Sequence, residues 1–233
     1  ATRRALSTPE SRAGNGALLH TSPILAALSP ENAARLVPAL LRSGAEVTLT
    51  APDRDPLSKA LEAVAEAQLD LVKAGRMSQS DSEGDWNRLS GRLQPDANDP
   101  PALSFADLEH AAWLEPLAPP NTPLVLWSPG AHPPPPLNAP NFAITLVPAP
   151  SRSPRLCEIL VQDDSDADSV RRATNLAIRL KLTPVRAARA PVLPGLTQAA
   201  SQAAHHLRGA GVTSAQLRAT GLLHNGAELG EAA

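Results

Sequence analysis

The first apolar and polar positions along the chain predict a strand followed by a helix. Residues 24–28 form an apolar run of strand length. Ser29 suits a helix N-cap, Pro30 suits the first helical position, and the helix is expected to run to Arg42. Gly44 lies just beyond, where helices commonly end on a residue with left-handed backbone.

A second strand and a second helix repeat this order. Residues 46–50 are short and contain β-branched side chains, and residues 57–74 carry apolar side chains at helical spacing up to Gly75. Strand, helix, strand, helix in sequence predicts right-handed βαβ units and a parallel sheet. The predicted fold class is therefore α/β, a mostly parallel sheet with flanking helices.

The pattern is weaker in the rest of the chain. Residues 78–104 are polar, with several Gly, Pro and Asp, and are interpreted as a loop with at most one short helix. Apolar runs and helix-start signals predict the remaining elements, namely helices over 105–117, 168–180 and 196–208 and strands over 124–127, 142–147 and 158–161.

Composition excludes several kinds of function. Of the 233 residues 42% are hydrophobic, enough for a buried core, and a net charge of -2 offers no basic face to nucleic acid. No apolar run reaches the roughly 18–20 residues that span a bilayer, and no signal-peptide pattern opens the chain. One cysteine, Cys157, excludes an intramolecular disulfide and a thiolate metal cluster. A soluble cytoplasmic protein is expected.

The stretch from Asn141 to Val185 reads NFAITLVPAPSRSPRLCEILVQDDSDADSVRRATNLAIRLKLTPV. It resembles the junction between the nucleotide-binding and substrate halves of the 3-hydroxyacyl-CoA dehydrogenases of fatty-acid oxidation. The family's sequence there is approximately G-L-H-F-F-N-P, then L-V-E-I, a helix, and G-K-T-P-V. Pro150, Glu158 and the run 181–185 match that pattern. The position of the family's catalytic histidine holds Leu146.

The resemblance implies a Rossmann-like sheet followed by a shortened helical part. The expected division is a flexible tail or linker over residues 1–22, a degenerate dinucleotide-binding domain over 23–190, and a truncated helical segment over 191–233. The middle, residues 78–140, is about a dozen residues shorter than the family pattern, so a strand or helix is expected to be missing there.

The dinucleotide fingerprint is altered at each of its three glycines. The run Gly44-Ala45-Glu46-Val47 resembles the family's G-H-E-V, and counting back from it puts the three glycine positions at Leu28, Pro30 and Ala33. Leucine and proline crowd the place where a glycine lets the backbone approach a pyrophosphate. Proline also removes an N–H that could bind the anion.

The acid that binds the ribose in this family is also displaced. Its expected position after the second strand holds Ala51, so Asp53 is the only nearby candidate, and it fits only if the loop is shifted. NAD is accordingly not expected as a cofactor.

The resemblance implies a catalytic histidine oriented by a glutamate, and only the glutamate is retained. Leu146 cannot act as a base, and its distance of twelve residues from Glu158 (158 − 146) matches the family's spacing. The family's other polar catalytic positions fall at or near Gly130, Ala149 and Leu196. Four such losses predict that the family's mechanism is absent.

Glu158 is interpreted as a structural ion-pair partner of Arg152 or Arg155 rather than as a catalytic acid. The neighbouring Cys157 is expected to be a buried, unreactive side chain.

Other polar clusters have structural interpretations. His205 and His206 are adjacent on a predicted helix and do not share a face, so they predict no metal site. The acidic run 163–168 lacks the glycine and glutamate of an EF-hand and is interpreted as a solvated helix start. Residues 133–136 are four prolines, which indicate a rigid loop more than a polyproline ligand.

Two functional hypotheses follow. The first is a dehydrogenase-like module without activity that serves a structural role or binds another protein subunit or domain, with an apolar helix face at Leu196, Ala199, Ala203 and Leu207. The second is an acyl-CoA binder, with Arg152, Arg155 or Arg186 near the phosphates, or an oxidoreductase with a non-standard site that uses Asp53.

Overall fold

The computed structural model describes residues 23–95, 100–119, 122–129, 143–148, 156–161 and 166–187, together with residues 199, 202–203, 205–213 and 216. The strands are β1 (Ile24–Ala27), β2 (Val47–Thr50), β3 (Leu89–Arg92), β4 (Leu103–Asp107), β5 (Leu124–Trp127), β6 (Ala143–Pro148), β7 (Leu156–Val161) and β8 (Thr183–Ala187). The helices are α1 (Pro30–Arg42), α2 (Arg54–Lys73), α3 (Gln79–Trp86), α4 (Leu108–Leu114) and α5 (Ala167–Arg179), with a 3-10 turn over Glu115–Leu117.

All eight strands form one sheet in the order β3-β2-β1-β4-β5-β6-β7-β8. The first six are parallel, β7 runs antiparallel to β6, and β8 is parallel to β7. The order 3-2-1-4-5-6 is that of doubly wound dinucleotide-binding folds. The predicted α/β, mostly parallel architecture is confirmed, and all six strands of that order are present in spite of the short middle of the chain.

The first two βα units follow the predicted pattern closely. Pro30 occupies the first turn of α1, and Gly44, with φ of 82°, follows its last residues. The second helix starts three residues earlier than predicted and is again followed by a glycine in the left-handed region, Gly75, with φ of 66°. Such φ values cost little only at glycine, so these two positions end the helices as the sequence indicates.

The prediction for residues 78–117 was partly wrong. The short helix is present as α3, but β3 and β4 lie where a loop and a helix start were expected. All five residues of β4 are buried between β1 and β5. A central parallel strand is covered on both faces, so it lacks the alternation of apolar and polar residues by which a half-exposed strand is predicted.

β3 and β8 were also not predicted, because these strands depend on contacts with neighbouring elements and not on a local sequence pattern. In β3, Ser90 bonds to Thr48 through their hydroxyl oxygens at 2.9 Å. A Cβ at Gly91 would lie 3.0 Å from Leu61 Cδ1, so the missing side chain lets α2 pack closely there. In β8, most side chains are exposed, and the strand forms by pairing with β7.

Within the described ranges the core has two large parts, because the helices cover both faces of the sheet, and a small third cluster formed by Val147, Leu160 and Ala187. One part joins α1, α2 and α5 to the sheet, and the other joins α4 to β1, β4 and β5. Among the described residues, no helix is long and apolar enough to cross a membrane.

Candidate functional site

The carboxyl ends of β1 and β4 meet at the topological switch point of the sheet. The helix after β1 covers one face and the helix after β4 covers the other. In open α/β sheets this divergence forms the crevice in which ligands bind. We therefore take the residues at this edge as the candidate site.

Asp107, the last residue of β4, connects the starts of two helices. Its Oδ2 accepts from the backbone N–H of Ser29 at 2.7 Å and from Nδ2 of Asn32 at 3.1 Å. Its Oδ1 accepts from the backbone N–H of His110 at 3.3 Å and lies 2.6 Å from Nδ1 of the same residue. One carboxylate thus binds the N-terminus of α1 and caps α4.

These contacts keep the Asp107 carboxyl ionised although its side chain is only 4% exposed. Burial opposes the charge, but hydrogen bonds from His110, Ser29 and Asn32 outweigh burial and lower the pKa of Asp107 to about 2. The hydrogen bond with Asp107 raises the pKa of His110, against a smaller opposing effect of burial. The pair therefore favours an aspartate–imidazolium arrangement at the sheet edge.

Trp127 lies beside Asp107, as its register partner on β5. The indole is 1% exposed and packs edge-on against Phe105, with ring centroids 6.5 Å apart. The guanidinium carbon of Arg35, from α1, lies 5.8 Å from the centre of the indole, within cation–π range. The indole N–H is buried, and no described residue accepts a hydrogen bond from it.

The pairing of β6 with β7 does not bring Leu146 and Glu158 together. In the antiparallel register Leu146 lies opposite Ile159, and Val147 lies opposite Glu158. Directly opposed residues share a face and successive residues alternate, so Leu146 and Glu158 lie on opposite faces. Leu146 and Val147 are fully buried, and Glu158 is 4% exposed. The β6 residue directly opposite Glu158 is therefore apolar.

No protein-family model matches the sequence, and no curated protein matches it significantly. Solved structures do match the fold. FadB2 of M. tuberculosis has a TM-score of 0.65 at 15% identity, over 88% of this chain and 79% of that chain. The (S)-3-hydroxybutyryl-CoA dehydrogenase PaaH1 of Ralstonia eutropha has a TM-score of 0.63 at 11% identity, over 84% of this chain and 75% of that chain. The 3-hydroxyacyl-CoA dehydrogenase of Archaeoglobus fulgidus has a TM-score of 0.58 at 14% identity, over 88% of this chain and 70% of that chain.

This chain has the fold of the 3-hydroxyacyl-CoA dehydrogenases. Identities of this size establish the fold and leave the reaction to the residues of the site. The resemblance of residues 141–185 to that family thus agrees with the three-dimensional architecture.

The positions of the three fingerprint glycines lie at the turn between β1 and α1. Leu28 is 4% exposed and belongs to the core, Pro30 begins α1, and Ala33 is fully buried in α1. Ser29 has φ of −58° and ψ of 155°, so the turn is made without left-handed backbone. The chain therefore closes this turn with residues that carry side chains.

Asp53 lies beyond the carboxyl end of β2, at the N-cap of α2. Its side chain is exposed and makes no capping hydrogen bond. Ala51, at the position expected for the ribose-binding acid, is 4% exposed. Ribose binding by Asp53 stays an alternative hypothesis, because NAD is not the expected cofactor.

The remaining candidates have structural roles or lie outside the described residues. Cys157 is fully buried, and burial raises the pKa of its thiol to about 12, as expected for an unreactive cysteine. Asp166 caps α5 by accepting from the backbone N–H groups of Asp168 and Ser169 at 2.8 and 2.9 Å. No group of three metal-ligating side chains occurs in the described part of the chain. Arg152, Arg155, Gly130, Ala149, Leu196 and residues 133–136 lie outside it.

Sequence reasoning identified neither Asp107 nor His110 as a candidate site residue. The available signal was local, an Asp-x-x-His sequence at a helix start, which indicates capping of α4. The contact that matters for the site, with Ser29, spans 78 residues and depends on the adjacency of β1 and β4.

Proposed function

We propose that this protein is a 3-hydroxyacyl-CoA dehydrogenase-like module that has lost NAD binding and dehydrogenase activity and binds another protein subunit or domain. The names of the solved neighbours support acyl-CoA metabolism as the proposed setting. The sequence resemblance extends this proposal to a fatty-acid oxidation assembly.

The observation that carries the loss of activity is that no ionisable side chain stands on β6 at the family's histidine position or opposite Glu158. Oxidation of a hydroxyl group to a ketone by NAD requires a base that takes the hydroxyl proton as hydride leaves. Leu146, at the family's histidine position, lies on the other face of the sheet, and Val147 lies opposite Glu158. Both are fully buried and cannot ionise. A buried glutamate without that base does not reproduce the histidine–glutamate mechanism.

The turn after β1 supports the loss of NAD binding. Leu28 and Pro30 place side chains where glycines admit a pyrophosphate, and proline supplies no N–H. The Asp107 carboxylate, charged and bound to Ser29, adds a negative charge at the same helix end. Each of these features disfavours a dinucleotide phosphate.

We expect calorimetric titrations of the purified chain with NADH and with acetoacetyl-CoA to show no binding, and a mixture of both to show no oxidation of NADH. An active 3-hydroxyacyl-CoA dehydrogenase treated identically is the positive control. Saturable binding of NADH, or turnover, would contradict the proposal. Binding of acetoacetyl-CoA alone would favour the acyl-CoA-binding alternative.

The partner-binding role is supported by apolar side chains on the last two strands. Leu156 and Val185 are 41% and 42% exposed, and their register partners place both on one face of β7 and β8. Large apolar side chains grouped at a surface are typical of interaction sites.

We expect the chain to associate as its concentration rises, because burying Leu156 and Val185 removes apolar surface from water. Val185→Glu should shift the population toward monomer in sedimentation velocity. Ile178→Glu, at a more exposed apolar site on α5 with 52% exposure, is the matched control and should leave association unchanged. A chain that stays monomeric throughout would count against this surface.

A further inference from the structure

We propose that Asp107 is a built-in anion that closes the switch-point crevice to phosphorylated ligands. The carboxylate accepts from the Ser29 N–H and the Asn32 side chain at the start of α1, and so acts as an autoinhibitory contact. This inference deepens the proposed loss of NAD binding and rests on it.

The first support is that α1 lacks the usual local cap. Ser29 stands at the N-cap, but its side chain caps no backbone N–H of the helix. The Ser29 hydroxyl oxygen instead accepts from Asn32 Nδ2 at 3.1 Å, and that amide also donates to Asp107. A carboxylate 78 residues away in sequence thus supplies the negative charge that a helix N-terminus favours.

The second support is that the neighbouring strand β5 and helix α1 carry donors beyond those that bind Asp107. The indole N–H of Trp127, on the strand next to Asp107 and in register with it, is buried without an acceptor among the described residues. Arg35 adds a guanidinium group against the same indole. Backbone N–H, amide, indole N–H and guanidinium groups are the donors that recognise phosphate oxygens.

The third support is that the second carboxylate oxygen of Asp107, Oδ1, is held by α4. Oδ1 binds the backbone and the ring of His110 at the start of α4. An entering diphosphate would have to displace a carboxylate held by both helices, or bind beside its charge in a poorly solvated site. Both are unfavourable.

The test is thermal unfolding of the full chain in inorganic pyrophosphate at constant ionic strength. Asp107→Ser removes the charge and shortens the side chain, while serine remains a good N-cap for α4. Asp107→Asn is the second variant, should the serine variant not fold. Asp166→Ser is the matched control, because it removes a helix-capping carboxylate at an exposed site away from the crevice.

We expect pyrophosphate to raise the Tm of Asp107→Ser saturably by about 3 °C or more, as for a ligand that binds the folded state. Wild type and Asp166→Ser should not respond. Equal responses in wild type and Asp107→Ser, or none in either Asp107 variant, would overturn the inference. NADH binding by wild type would instead overturn the proposed function, so the two failures are distinguishable.

Discussion

Replacing Trp127 with alanine is expected to lower the free energy of unfolding by about 3–5 kcal/mol. The indole is 1% exposed, packs edge-on against Phe105 and lies under Arg35 of α1. Truncation leaves a cavity beneath the helix whose N-terminus forms the candidate site. With aromatic residues at 2% of the chain, few other side chains fill comparable volume.

Urea unfolding measures this change, with Trp86→Ala as the matched control. Trp86 lies at the end of α3 and is 37% exposed, so its truncation should cost about 1 kcal/mol or less. Trp127→Phe should cost about 1.5 kcal/mol or less, because no described residue accepts from the indole N–H and a ring is retained. Equal losses for Trp127→Ala and Trp86→Ala would show that Trp127 does not support the core as described.

Acidification from about pH 4 to pH 2 is expected to remove about 2 kcal/mol of stability through Asp107. Its pKa in the folded protein is about 2, below the ordinary value of 3.8. A lowered carboxyl pKa stabilises the folded state above the unfolded value, and that stabilisation is lost as pH falls through the folded value. Since the side chain is 4% exposed, solvent weakens its contacts little.

The comparison of wild type with Asp107→Asn isolates this contribution. Asp166 and Asp168 also have lowered pKa values, and they contribute to acid sensitivity equally in both proteins. We expect the two proteins to differ in stability above about pH 4 and to converge toward pH 2. Curves that stay parallel over this range would exclude the ionised Asp107 contacts.

His110 has the opposite pH dependence. Its pKa is raised by Asp107, so its contribution is complete below the ordinary value of 6.5 and is lost as pH rises through the folded pKa. The stabilising effect of the pair is therefore greatest in mildly acidic solution, between the two transitions.

The elements that could be predicted from sequence are those whose signals are local. α1 begins at Pro30 and is followed by Gly44, and β5 is a short apolar run between loops. The apolar positions also predicted the parallel α/β class, which the strand order confirms. Where a helix start or a buried strand is determined by residues a few positions apart, the sequence is sufficient.

Register and adjacency between distant strands decided the rest. Asp107 reaches Ser29 because β4 lies beside β1. No sequence pattern near either residue predicts that these two strands are adjacent. The opposite faces of Leu146 and Glu158 follow from the β6–β7 register, which spacing along the chain does not determine. The sequence by itself determined the class of fold and predicted which residues stand at the family's glycine and histidine positions. The tertiary structure decided that Asp107 binds the start of α1, because hydrogen bonds between distant segments form only when the strands pack side by side.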